Sequence, residues 1–331
     1  MVNLRYHIIS IVAVFLALGV GVVMGSAVID RAVVGTLREQ QAAIDRRIDD
    51  VLRENGELQA RLAEQQQTSE QLADEGSQRL LAGQLTGVPV VVVAVEGADS
   101  TSTALDDVLQ ALRTADADYE GTVQLTERLA LTSEEERRDL ARALGTPDER
   151  PVDELRALVI DRLAGALVPV AAVDGDAVAL PAAGQGLAEL RAAGFVEYEP
   201  PEGGTVEISD LAAAKSTVVL VSEAGAALEY DDWARQLVGA LTADRDRDGR
   251  PDVRLLAVEA LGPPGGDGED ETGFTEALRA DDALSARLST VNNVDTFAGR
   301  LAAVLAIRDL AEGRTGHYGR GAQRLIPAPP R

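Results

Sequence analysis

With 331 residues, 46% of them hydrophobic, the chain is long enough for one membrane segment and one or two compact domains. A formal net charge of −24 excludes a binder of phosphate backbones, which needs a basic patch, so no nucleic-acid partner is expected. The absence of cysteine excludes disulfides, zinc–thiolate sites and thiol nucleophiles.

Aromatic residues make up only 3%, so any core is built from Ala, Leu and Val. Lys215 is the only lysine. That skew toward arginine marks a coding bias that also enriches Asp, so Asp-rich motifs are discounted accordingly.

The first element is apolar. Ile8 to Ile29 carries no charge, and at about 1.5 Å per residue it spans a ~30 Å hydrocarbon core. Signal-peptide apolar regions are shorter, about 7–15 residues. Gly25-Ser26-Ala27 resembles a small-residue cleavage site, yet the helical pattern runs on through Asp30 and Arg31 without a breaker. The expectation is a retained single-pass transmembrane helix over 8–29. Arg5 favours a short cytoplasmic N-terminus, residues 1–7, with the rest outside the cell membrane. Gly21 and Gly25 form a G-x-x-x-G pair, which permits close helix approach in lipid. Glycine is also simply common in such helices.

A coiled-coil stalk is expected over 31–85. Leu37, Ile44, Val51 and Leu58 recur every seven residues, Gln65 lapses, and Leu72 resumes. Four residues after the first four come Gln41, Ile48, Asn55 and Leu62. This is an a/d seam, and a polar Asn at one a position fixes register and two-strand pairing. A homodimer is the expectation; the alternative is one amphipathic helix folded back on its own domain. A fully helical stalk would be roughly 75 Å long.

The head domain is expected over 86–313, beginning where Gly83 and Gly87 break the helix. Val88–Val95 is a β-branched run of the kind buried on both faces of a sheet. Ser216–Ser222 and Val253–Leu261 read as further strands. Between them, Thr103/Asp106 and Ser133/Glu136 have capping-box spacing ahead of helices, and "DDWARQLVGALTAD" is amphipathic. Strands alternating with helices imply an α/β head with a mostly parallel sheet. Residues 262–273 read as a surface loop.

Chemistry at the strand ends is sparse. "GADSTST" has neither dinucleotide nor P-loop glycine spacing, and Ser222, Glu223 and Asp231 have no histidine to form a triad with. The two histidines, His7 and His317, lie near opposite ends of the chain. No catalytic residue and no enzyme activity are expected. "DRDRDGRPD" places Asp244, Asp246, Asp248 and Asp252 as in the first nine positions of a calcium loop, with Gly249 at the turn. Position 12 is Leu255 where the bidentate Glu belongs, so these four are a candidate Ca²⁺ site or an Asp/Arg-rich turn.

"VNLRYHIISIVAVFLALGVGVVMGS" at the start, and "VDTFAGRLAAVLAIRDLAEGRTGHYG" from Val294 to Gly319, resemble the actinobacterial MctB family, labelled copper transporter. The resemblance covers nearly the whole chain: anchor, coiled coil, α/β head and tail. It implies a cell-envelope protein of copper homeostasis or copper transport. It also implies a membrane or envelope protein partner, because relatives are associated with a septal complex. Copper is implied by the family alone. Cu(I) favours sulfur and Cu(II) imidazole, whereas this chain has two methionines, two distant histidines and no cysteine.

Within the second motif, Val294 to Glu312 reads as an amphipathic helix closed by Gly313. His317 and Tyr318 sit between glycines as a candidate partner contact, or as a strap along the sheet edge. Residues 314–331 read as a flexible Gly/Pro tail. Two functions stand at this point: copper transport, and a non-enzymatic dimeric scaffold or regulatory partner in an envelope complex.

Overall fold

The structure is a computed structural model that describes residues 4–95, 103–147, 150–167, 181–204, 208, 211, 216–223, 228, 233–244, 251, 253–260, 273–322 and 324–328. The chain divides into two compact units, Met1–Ser69 and Glu70–Arg331.

One helix, α1, runs from Leu4 to Leu81. It contains no proline, and its polar half is rich in Arg, Glu, Gln, Ala and Leu, all good helix formers. Within it, Tyr6–Met24 is long and apolar enough to cross a membrane, by length and composition. The helix stops where expected. Gly83 and Gly87 both adopt positive φ, which a β-carbon disfavours.

Among the described residues the second unit is a seven-stranded sheet with helices on both faces. In chain order its elements are β1 (Pro89–Val95), α2 (Thr103–Thr114), β2 (Asp118–Leu125), α3 (Glu134–Ala143), α4 (Val152–Leu167), α5 (Pro181–Ala192) and β3 (Val196–Glu199). They continue with β4 (Thr217–Glu223), α6 (Arg235–Leu241), β5 (Arg254–Ala260), α7 (Phe274–Ala280), α8 (Asp282–Ser285), β6 (Ser289–Val291), α9 (Phe297–Ala311) and β7 (His317–Tyr318). The spatial order is β3-β2-β1-β4-β5-β6-β7. β3 runs antiparallel to β2, and every other pairing is parallel. The chain therefore starts in the middle of the sheet, winds to one edge, returns beside β1 and winds to the other. The direction reverses between β1 and β4.

Strand alternation builds two cores. Val91 and Val93 of β1 join Val123, Leu125, Val218, Leu220, Leu255 and Ala257 under α3–α8. Val90, Val92 and Ala94 face the opposite way with Val219, Val221, Leu256 and Val258, under α2, α9 and the end of α1. A run that is apolar at every position reads as a strand covered on both sides, and that is how β1, β4 and β5 lie.

Local signals resolve in detail. The Ser133–Glu136 capping box forms both bonds: Glu136 N donates to Ser133 Oγ at 3.1 Å, and Ser133 N donates to Glu136 Oε2 at 2.9 Å. Thr103 is itself the first residue of α2 rather than its cap. The C-terminal helix begins at Phe297, not Val294. Asn293 takes positive φ, and Thr296 is the cap, its Oγ1 accepting from Gly299 N at 3.1 Å.

The segment expected as a flexible tail contains an edge strand. Thr290 pairs with His317 and Val291 with Tyr318. Arg279 donates to the Tyr318 carbonyl at 2.6 Å and the Arg320 carbonyl at 3.3 Å. Asn292 both donates to the Arg320 carbonyl (2.9 Å) and accepts from its N–H (2.7 Å). Those contacts are side-chain to backbone, so the hydropathy pattern carries no trace of them.

Candidate functional site

In open sheets wound in both directions, ligands sit beyond the carboxyl ends of the strands, near the switch in winding. Here that edge carries a polar cluster. Glu259, on β5, is buried beside the apolar run Leu255–Val258. Its carboxylate accepts from Phe274 N (2.9 Å), Thr275 N (3.0 Å) and Thr275 Oγ1 (2.9 Å), which satisfies the first turn of α7.

Beyond β6, the "NNVDTFAGR" segment turns into α9. Its Arg300 meets Asp107 of α2 at 2.8 Å, so the opening turns of two helices are clasped across the edge. Burial pushes the Asp107 carboxyl above its ordinary range; Arg300 opposes this, and the nearby Asp295 adds to it. Among the described residues, Asn293 Oδ1 and Asp295 Oδ1 are buried without a hydrogen-bond partner. Two bare acceptors beside an acid–arginine clasp suit a donor-bearing small molecule or water. No nucleophile paired with a base lies among these side chains.

A second concavity, about 660 Å³, opens between α3, α4 and α5. Arg162 braces it, donating to Glu189 Oε2 at 2.8 Å and to the Leu144 carbonyl at 3.1 Å. On the other side, Arg128 reaches the Ala193 carbonyl (2.5 Å) and Asp139 (3.0 Å) while stacking over the Phe195 ring. Each arginine closes the carbonyl end of a helix, so these donors are already committed to the fold.

The residues singled out from the sequence fall in different places. Gly21 has nothing within 4 Å of an added β-carbon, and the surroundings of Gly25 and of the Leu37 side chain are not among those described. Ile44, Ile48, Val51, Leu58 and Leu62 are all more than half exposed on α1, and Asn55 is exposed with them. Asp244 follows α6, while Asp246, Asp248 and Asp252 lie outside the described residues. His317 and Tyr318 form β7. Thr290 Oγ1 and His317 Nδ1 are 3.0 Å apart, and Arg279 Nε donates to that same hydroxyl at 2.7 Å. Burial, then Arg279, lowers the His317 pKa, and a bond to the Ser285 backbone works the other way. Among the described residues, no group of three or more His, Cys, Asp or Glu is placed to hold a metal.

The sequence reading missed Asp107, Asp295, Asn293, Arg300 and Glu259. A signal existed for one of them: Glu259 is the lone acid in "VRLLAVEAL", and an acid inside a fully buried strand must find partners.

A family model described as "Copper transport outer membrane protein, MctB" matches residues 1–327. The protein named "Copper transporter MctB" of Mycobacterium tuberculosis (strain ATCC 25618 / H37Rv) is 28% identical over 338 residues, covering 97% of each chain. That of Mycobacterium leprae (strain TN), also named "Copper transporter MctB", is 29% identical over 339 residues, again covering 97% of each.

Proposed function

The chain belongs to the MctB family, and from that premise we propose that it serves copper handling at the cell envelope as an anchored, non-enzymatic protein. The observation that carries this reading is the extent of the match. Residues 1–327 take in the apolar helix, the α/β unit and the α9–β7 segment together, so the layout of the family is kept whole. In this reading Tyr6–Met24 crosses the membrane once, with residues 1–7 cytoplasmic and the α/β unit outside.

Copper is cargo here rather than a resident cofactor. Among the described residues the sulfur and imidazole donors are His7, Met24 and His317, and the Nδ1 of His317 is engaged by Thr290. That donor set supports a part in a larger copper-handling assembly, with a protein partner, over a pore formed by this chain alone. The test is a deletion strain, read for copper tolerance and cell-associated copper. Copper sensitivity of the deletion is expected, with tolerance restored by the full chain but not by a chain lacking residues 1–29. Unchanged tolerance and unchanged copper content in the deletion would remove the proposal.

A second reading is a dimeric coiled-coil scaffold in an envelope complex. It is favoured by the apolar residues Ile44, Ile48, Val51, Leu58 and Leu62, exposed at heptad spacing with Asn55 at an a position. The full chain in detergent, compared with an Ile48→Asp/Leu58→Asp variant by sedimentation, decides it. A dimer that becomes a monomer supports the seam, and a wild-type monomer refutes it.

A further inference from the structure

The last 18 residues, from Arg314 on, carry four arginines and no acid, in a chain that has 55 Asp and Glu. The part of this segment that leaves the sheet is not a loose tail. Arg324 bridges to Tyr318 beside β7, its carbonyl accepting from Gly319 N at 3.0 Å, and Asn292 holds Arg320 by two bonds. Held this way, the β7 edge presents Arg320 and Arg324 to solvent together with Leu325 (61% exposed) and Ile326 (40%). Among the described residues outside α1, these two are the only exposed large hydrophobics.

The opposite edge of the same sheet is β3. Its inward side chains, Val196 and Tyr198, are buried; its outward ones, Glu197 and Glu199, are exposed, and Glu202 follows them. Among the described residues none of these three glutamates is in an ion pair, and neither are Arg320 and Arg324.

We infer that the β7 edge of one copy docks on the β3 edge of a second copy of this chain. Like edges repel, glutamate against glutamate or arginine against arginine, and only unlike edges attract. The contact is therefore heterologous: each copy uses two different surfaces, and the copies repeat head to tail, as a ring where the rotation closes and a row where it does not. Leu325 and Ile326 add apolar area at the point of contact, where charge alone would be screened by salt. This contact is separate from any pairing along α1 and does not depend on it.

The exposure of Leu325 makes the test direct. The full chain carrying Leu325→p-benzoylphenylalanine is irradiated in native membranes, and the cross-linked peptides are mapped. A cross-link between two copies, landing within residues 196–202, is expected. An Arg320→Glu/Arg324→Glu chain should lose about tenfold of that yield against wild-type partners. It should regain the yield against a co-expressed Glu197→Arg/Glu199→Arg chain. Cross-links to lipid or to a different protein, cross-links between copies that map elsewhere, or loss without rescue would each overturn the inference. A stalk variant, Ile48→Asp/Leu58→Asp, keeps the readouts apart: it removes pairing along α1 and leaves this cross-link in place.

Discussion

Arg300, in the first turn of α9, pairs with Asp107 of α2 at 2.8 Å and donates to the Asp295 backbone carbonyl at 3.4 Å. The arrangement is asymmetric in energy. Burial raises the Asp107 carboxyl even though Arg300 opposes it, so ionising Asp107 costs the folded state more than the guanidinium returns. A raised carboxyl contributes stability below its unfolded value of 3.8, and this is lost as pH rises through the folded value. Asp107→Asn should therefore change neutral-pH stability by no more than about 0.5 kcal/mol and remove that slope. Arg300→Met leaves Asp107 without its cation, near the like charge of Asp295, and should cost about 2 kcal/mol, or about 4–8 °C in Tm. Thermal melts of the two variants check this. Equal losses would mean that the pair acts as a symmetric clasp.

Glu259 makes the clearest prediction for stability. Three donors at the start of α7 converge on its buried carboxylate. Glu259→Ala would leave two buried backbone N–H groups and one buried hydroxyl without their carboxylate acceptor. The expected cost is about 3 kcal/mol, at roughly 1–3 kcal/mol for each unsatisfied group and with partial relaxation. Glu259→Gln keeps one acceptor oxygen and should lose about half as much. Denaturant unfolding followed by the fluorescence of the single tryptophan, Trp233, reads both variants.

The strands β1, β4 and β5 were legible because unbroken apolar runs have one economical arrangement: a sheet covered on both faces. β3 was not. "FVEYE" is four to five residues of alternation, too short to stand out, and it pairs antiparallel only because Val196 and Tyr198 complete a core gathered from distant segments. The end of α1 at Gly83 and the Ser133–Glu136 box were legible because both are local chemistry. The cluster at the strand ends was not, because Asp107 and Arg300 are 193 positions apart in sequence and only the winding of the sheet joins them. A tail along the sheet edge was one of the two readings of His317 and Tyr318, but its pairing as β7 was not legible, because its anchors, Arg279 and Asn292, lie far upstream and act on backbone atoms.

Gly299 and Gly313 should respond very differently to one methyl group. A β-carbon at Gly299 would fall inside the van der Waals radius of the Asn293 carbonyl oxygen and against Val294 N, both backbone atoms that cannot swing aside. Gly299→Ala must push α9 away from the turn after β6, a change expected to cost about 3 kcal/mol or more. Gly313 closes α9 with φ +79° and nothing within 4 Å. There an alanine meets only backbone strain, about 1 kcal/mol. The difference in Tm between the two variants is the measurement, and a smaller loss at Gly299 would contradict the packing described for α9.

His317 gives the head a pH response of predictable sign. The lowered value means that the folded state resists protonation, through burial first and the charge of Arg279 second. The unfolded chain takes up the proton nearer its ordinary 6.5, so between that value and the lower folded one the unfolded state binds more protons. Stability contributed by the neutral imidazole is thus complete above about pH 6.5 and declines as pH falls through the folded value. A His317→Gln variant, whose amide can still meet the Thr290 hydroxyl, should lose this component while keeping its Tm at pH 8 within a few degrees. The comparison is the change in Tm from pH 8 to pH 5 for the two chains. Parallel curves would show that β7 does not feel the protonation of His317. A steeper wild-type curve would place the latch of the C-terminal strand on the Arg279–Thr290–His317 chain of contacts.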